Sequence, residues 1–419
     1  MKRALTTALL VLTTSIVSAE RAIVVTTDFT TGILSSVDGE GTVTDDLLLI
    51  HSDARVRVFD DRVYIINRLG QDNIIVLDKN DLATPLIQFS TGDGSNPHEI
   101  FVLNNEKAYV SVYKRDYLLA VNPSTGDSLS VIDLSAFSDA DGLPEASQLA
   151  FFNGHLFVAC QRLNRDAFFA PTDHSTIAVI DTATDELIDV DPSTTDIDGI
   201  RLSGTQPFGF DQRGGNWVLS VVGSFGVTDG GIEVVDLVRR ETKGILVSEE
   251  TFQGDVNGLT MVSDTEGYAI IDIVSDAIFA NSVHRFDLTT GETTGPLAGV
   301  SSGFIPEISS IPGRLYVLDR STFDNPGGAG LKIFDTSTEE LLQGPVATSL
   351  PPFDITFVDI VRSDFDGNGA VDFTDFLAFA ATFQTSHGDE GFSSSSDLDP
   401  NGVINFADFL IFASEFDGQ

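Results

Sequence analysis

Residues 364–375 read DFDGNGAVDFTD and residues 397–408 read DLDPNGVINFAD, two copies of a pattern that spaces oxygen ligands as a calcium loop does. A hard cation such as Ca²⁺ takes about six to eight oxygens, and a twelve-residue loop supplies them from positions 1, 3, 5, 7 (backbone carbonyl), 9 (through water) and 12. Those positions hold Asp364, Asp366, Asn368, Ala370, Asp372 and Asp375 in the first copy, and Asp397, Asp399, Asn401, Val403, Asn405 and Asp408 in the second. Gly369 and Gly402 stand at position 6, where the sharp turn needs a residue without a β-carbon. The chemistry implied is the binding of two Ca²⁺ ions. Asp, Asn and Gly are common in any solvated loop. Two copies with the same offsets, each with an apolar residue at position 8 (Val371, Ile404), argue against accident.

Each loop runs into a Phe-rich segment. Phe376, Phe379 and Phe383 fall at i, i+3 and i+7, as do Phe409, Phe412 and Phe416, so each trio is expected on one face of a helix. The two faces can bury each other in a loop-helix pair with approximate twofold symmetry.

The chain ahead of these loops alternates apolar and polar residues between short Gly, Asn and Asp turns, which predicts antiparallel β-structure. One unit recurs, an apolar strand ending in Asp or Asn: residues 33–38, 74–78, 118–122, 177–181, 232–236, 283–287 and 331–335. Its end residues are separated by between 40 (Asp38 to Asp78) and 59 (Asn122 to Asp181) positions, the period of a four-stranded propeller blade. A second strand precedes each unit, and an innermost strand, often opened by Pro, precedes that. The order is offset by one strand: the first blade begins at its second strand, and residues 353–358 are left over to complete it. The predicted fold is therefore mainly β, a seven-bladed propeller over residues 20–358, with a small α-helical calcium-binding domain over residues 362–419.

In such a ring the starts of the inner strands surround the mouth of the central channel. That places His51, Asp53, His98, Glu99, Glu145, Asn257, Glu307 and Asp354 there, a pocket for a cation or a polar ligand, or a set of strand caps bonding water. Long segments on the same face (133–145, 187–206, 342–352, 161–175, 273–281 and 320–330) carry Phe168, Phe169 and Phe323, which either stack on a sugar or peptide or anchor their own loops. Opposite-face turns at 104–105, 153–154 and 214–215 are minimal. Hydrolysis by Glu145 and Glu307 would require a defined separation and separated pKa values. No nucleophile elbow, P-loop, HExxH or His/Cys cluster occurs, and His51, His98, His155, His174, His284 and His387 share no ligand spacing.

A formal charge of −40 excludes nucleic acid and anionic membranes as natural partners, because both demand clustered Lys and Arg. The single cysteine, Cys160, excludes an intrachain disulfide, and its apolar setting predicts a buried thiol. Lys2 and Arg3, an apolar stretch over residues 4–17 and a small-residue site at Ala19 read as a signal peptide over residues 1–19, so a secreted or periplasmic protein is expected. No later apolar run is long enough to span a membrane.

The duplicated loop-helix pattern of residues 362–419 resembles the type I dockerin family. That resemblance implies two Ca²⁺ ions, secretion and, in cellulosomal members, docking to a cohesin domain; other expectations are a cell-envelope partner, or a secreted polysaccharide-active enzyme, a glycoside hydrolase or lyase. Loop positions 10 and 11, where cellulosomal dockerins usually carry polar residues for cohesin recognition, are Phe373-Thr374 and Phe406-Ala407. Residues 20–358 resemble the bacterial YncE-like, YVTN-type propellers, a fold that hosts many functions and names none of them.

Overall fold

The computed structural model describes residues 20–275, 278–321 and 328–416. The expected signal peptide and Phe323 lie outside them. Strand accounts for 47% of the chain and helix for 9%.

Why the second strand of each blade reads as an unbroken apolar run is plain in Arg62–Asn67. Val63 and Ile65 project into the core shared with the preceding blade, together with Ile23, Val25 and Leu34. Tyr64 and Ile66 project the other way and pack with Ile100, Val110 and Val112 of the following blade. A strand buried on both faces has no polar side to alternate. Seven such cores separate successive blades around the ring. Together they hold most of the buried apolar side chains, at about 25 cal/mol per Å² removed from water.

The innermost strands are Ala54–Phe59, Pro97–Asn104, Ala146–Phe152, Pro207–Arg213, Asp255–Met261, Ile308–Ile311 and Pro352–Val358. The last pairs antiparallel with Arg21–Thr27, from Arg21 opposite Val358 onward, and so completes the first blade from the far end of the propeller. This closure covers an edge that would otherwise template pairing with another chain.

Two loop expectations and one strand start are corrected. Residues 273–281 are not a loop, because Glu266–Ser275 and Ile278–Asp287 pair in register out to Ser275 opposite Ile278. Residues 342–352 are mostly the outer strand Leu341–Val346 of blade 7, which leaves only 347–351 as the connection. The inner strand of blade 2 starts at Ala54 rather than His51. Blade 4 is the most elaborated: Glu186–Leu187 and Ile200–Arg201 both pair with its third strand, Thr176–Asp181, and Leu163–Asn164 pairs with Ala170–Pro171 in a separate two-residue ribbon.

Two helices follow, α1 (Phe373–Thr382) and α2 (Phe406–Glu415). Both start inside the ligand pattern. Asp372 and Asn405, at loop position 9, are the N-caps, and each closes a capping box with the position-12 residue, Asp375 or Asp408. Phe379 and Phe412 stack at 5.3 Å between ring centroids and are buried with Val371 and Ile404. Phe383 and Phe416 lie just past the helix ends and stay partly exposed, so two rather than three members of each Phe trio are helical.

This helical segment rests on the minimal-turn face of the propeller. The Ser394 N–H donates to Asp264 at 3.1 Å, and the His387 ring lies 6.3 Å from that of Phe152. Gly367 and Gly313 touch backbone to backbone: a β-carbon on Gly367 would lie 2.6 Å from the Gly313 Cα, so neither position accepts a side chain. No helix among the described residues is long and apolar enough to cross a membrane.

Candidate metal centre and channel mouth

In each loop the side chains of positions 1, 3 and 12 converge. Asp364, Asp366 and Asp375 each offer an oxygen within 4.8 Å of the others, and so do Asp397, Asp399 and Asp408. Backbone donors orient them. Asp364 accepts the N–H groups of Asn368 (3.1 Å) and Gly369 (2.8 Å), and Asp397 accepts those of Asn401 (3.1 Å) and Gly402 (2.8 Å). Asp375 accepts from Phe365 at 2.7 Å and Asp372 at 2.9 Å; Asp408 accepts from Asp399 at 3.1 Å and Asn405 at 2.8 Å. Asn368 and Asn401 take the N–H groups of Ala370 and Val403. The Val403 carbonyl accepts the Asn405 amide at 3.0 Å.

Among the described residues, no Lys or Arg forms an ion pair with any of these carboxylates. Burial raises the pKa of Asp364 and of Asp397. Asp399 is pushed up to about 6 by burial and by the charges of Asp408 and Asp397. Its Oδ1 is buried without a hydrogen bond. Charge concentrated in this way, with an orphaned oxygen and an all-oxygen donor set, fits a hard divalent cation. Asp364, Asp366, Asn368 and Asp375 would hold one ion, and Asp397, Asp399, Asn401 and Asp408 a second.

The channel mouth is built differently. Arg55, from the blade 2 inner strand, reaches Asp354 at 3.0 Å and Glu307 at 3.4 Å. Arg57, two residues on and therefore on the same face of the strand, makes two bonds to Glu99 (2.8 and 2.5 Å) and one to Asp354 (3.3 Å). The Asp354 carboxylate also accepts the Val56 N–H at 2.6 Å. Glu99, Glu307 and Asp354 are thus brought together by two guanidinium groups. Burial still pushes Glu307 up to about 7, against the pull of Arg55. Asp53 pairs with Arg68 at 2.7 Å, and the His51 Nδ1 accepts the Asp53 N–H at 3.2 Å. His98 stacks on Tyr113 at 4.1 Å and is held well below its ordinary pKa by burial, then by Arg68 and Arg55.

Two residues of the expected pocket stand apart from this network. Asn257 donates to Asp272 at 3.2 Å. Glu145 accepts the Leu163 N–H at 3.0 Å beneath the long loops of blade 4. Glu145 and Glu307, the pair considered for hydrolysis, therefore have separate sets of partners. The arginines were missed in the sequence, although their i, i+2 spacing in a strand that opens on acids was a visible signal.

Phe168 is 97% exposed and therefore does not anchor its loop; it and Phe169 are consecutive non-glycine residues at φ 58° and 59°. Left-handed backbone at two bulky residues in a row is uncommon and marks a strained loop tip. Phe29, Phe208, Phe225 and Phe304 are also exposed on this elaborated face. Phe208 meets Phe225 edge to face at 6.5 Å, and the Arg320 guanidinium lies 4.5 Å above Phe29. Phe29, Phe225 and Phe304 lie outside the strands and gave no periodic signal in the sequence, whereas Phe208 is the second residue of the inner strand Pro207–Arg213.

No family model matches the chain, and no curated protein matches it. Solved structures do. Hydrazine synthase of Kuenenia stuttgartiensis is 14% identical and covers 71% of this chain and 92% of its own, with a TM-score of 0.50. AztD from Citrobacter koseri is 13% identical, covering 82% and 98%, with a TM-score of 0.46. The Pan2 WD40 domain of Neurospora crassa is 12% identical, covering 68% and 76%, with a TM-score of 0.46. At these identities the likeness is one of fold alone.

Proposed function

We propose that this chain is an exported, calcium-loaded binding protein, in which a dockerin-type C-terminal pair of loops takes two Ca²⁺ ions and the elaborated face of a YVTN-type propeller takes a ligand. The observation that carries this reading is the pair of three-carboxylate clusters, each free of Lys and Arg among the described residues. Burying like charges without a cation is costly, and an ion bound only by the folded loops converts its binding free energy into folding free energy. The ligand face is supported by exposed phenylalanines on the long loops and by an ion-pair network that presents fixed charges at the channel mouth.

The helices also offer a surface for a protein partner, a cohesin-like domain or a cell-envelope component. Phe373 and Leu377 on α1, and Phe406 and Leu410 on α2, are each more than half exposed at i, i+4 spacing. The duplication gives two equivalent apolar ridges pointing away from the Phe379–Phe412 core.

Calorimetry of the full chain with calcium and with EDTA tests the metal reading. Chelation should abolish a separate, calcium-dependent transition of residues 362–416 and leave the propeller transition within a few degrees. A thermogram indifferent to EDTA would sink the reading. The ligand is sought by screening the calcium-loaded chain against glycans and peptides, with Phe168→Ser as the control that should lose binding.

A further inference from the structure

A third group of carboxylates lies on blade 4, in the segment entering its inner strand. One oxygen from each of Asp139, Asp141 and Glu145 falls within 4.8 Å of the others. The turn is tight: Asp139 accepts the Asp141 N–H at 2.9 Å, and Asp141 accepts the Leu143 N–H at 3.1 Å. Those bonds use one oxygen of each aspartate.

Glu145 supplies the independent observation. Its side chain is fully buried; Oε2 accepts the Leu163 N–H, while Oε1 is buried with no hydrogen bond. A buried carboxylate oxygen left without a donor loses its hydration and gains nothing in return. The nearest positive group is Arg165, whose Nε is 3.8 Å from Glu145 Oε1 and 2.7 Å from Asp141 Oδ2. Arg165 is committed to Asp141, and Arg162, which pairs with Asp173 at 3.7 Å, acts on Asp139 only from beyond ion-pair distance.

We propose that Asp139, Asp141 and Glu145 form a site for a hard divalent cation of the Ca²⁺ class, held within the segment that enters the blade 4 inner strand. An oxygen-only set with no His or Cys selects such an ion over zinc or copper. Water and backbone carbonyls supply the remaining ligands. The ion supplies the missing partner of Glu145 Oε1, and Arg165 competes with it for Asp141. Arg165 opens the short turn, capped by the Asn164 side chain, that leads to Phe168 and Phe169. Occupancy of this site therefore bears directly on where those two rings point. The site is remote in sequence from the C-terminal loops and stands independently of their calcium.

Bound calcium per full-length chain, counted by equilibrium dialysis and by native mass spectrometry, tests this. The expected count is three, falling to two in Glu145→Gln and in Asp139→Asn, and to one in Asp375→Asn/Asp408→Asn. Arg165→Gln should tighten the propeller-borne site by about three- to tenfold, because it frees Asp141. A wild-type count of two that drops to zero in the C-terminal double variant overturns this proposal and leaves the loop reading intact. A count of one that survives the double variant does the reverse. Should Glu145→Gln fail to fold, the partly exposed Asp139→Asn carries the same test. A count unchanged in Asp139→Asn, or no tightening in Arg165→Gln, refutes the site.

Discussion

The channel mouth and the C-terminal loops both crowd acidic side chains, and they deal with the charge in opposite ways. At the mouth, Arg55 and Arg57 bridge Glu99, Glu307 and Asp354 across inner strands from blades 7, 1, 2 and 3. In the loops no Lys or Arg pairs with the clustered aspartates among the described residues. The first arrangement is complete within the chain and ties blades together. The second leaves its charge unpaired within the chain, which leaves it open to a cation. Acidity as such does not mark a candidate metal site; clustered acidity that the chain leaves unpaired does.

The sharpest way to break this contrast is to remove one carboxylate from each loop. Asp375→Asn with Asp408→Asn keeps the side-chain volume but leaves one accepting oxygen where each loop uses two, and should cost the C-terminal segment its calcium-dependent transition altogether while the propeller melts as before. If both transitions persist at micromolar calcium, the loops do not need the ion.

At the mouth the corresponding change is Arg57→Met, which leaves Glu99 and Asp354 with fewer positive partners. The side chain is partly solvated, so the expected loss is about 2–3 kcal/mol of propeller stability, below the range for fully buried pairs. Urea denaturation should show it without any change in calcium stoichiometry. A loss under 0.5 kcal/mol would mean that the network is a surface ornament.

Glu249 represents a third way of holding a carboxylate. It is fully buried and, among the described residues, served by the N–H groups of Gly230 and Val256, at 2.8 and 2.9 Å. Burial pushes it up to about 7, from the 4.5 of an exposed glutamate. Because the folded form binds its proton more tightly than the unfolded form, its contribution is fully present below pH 4.5 and is lost as pH rises through about 7. The propeller should lose roughly 2–3 kcal/mol between pH 5 and pH 8 from this group. Glu307, raised to about 7 as well, adds to the same slope, so Glu249→Gln should make it shallower without abolishing it, and an equally steep slope in the variant would place its origin elsewhere.

The smallest effect is expected at Phe168. Phe168→Ser should move stability by no more than about 0.5 kcal/mol, since the ring is almost wholly exposed. A larger loss would show that the loop depends on the ring for its own packing.

Much of this architecture was legible in the sequence because propeller strands repeat. The seven Asp- or Asn-terminated strands are visible as units, and the offset between Arg21–Thr27 and Pro352–Val358 announces closure. The two calcium-loop patterns were legible for a related reason: position 6 needs glycine and the ligand positions need oxygen, so local chemistry dictates residue type. What escaped was set by neighbours distant in sequence. Arg55 meets Asp354 across 299 positions, and nothing local to either residue marks the meeting. The mistaken loop at 273–281 failed for another reason. Asn281 reads as a turn residue, yet it is buried within the hairpin, where its side chain accepts the Ile305 N–H at 2.8 Å.

Closure by Pro352–Val358 also sets an order of events while the chain is being made. The first blade lacks its inner strand until the last propeller residues emerge, and the inner-strand edge of Arg21–Thr27 stays unpaired over that whole interval. Bringing residues so far apart together is slow compared with forming each local hairpin. The helices that seat against the ring come later still, within sixty residues of Val358. A product cut short before position 352 has an unclosed ring and no C-terminal helices. Any partner that grips those helices therefore retains only molecules synthesised past the point of closure, which makes the tail a certificate of completeness as well as a handle.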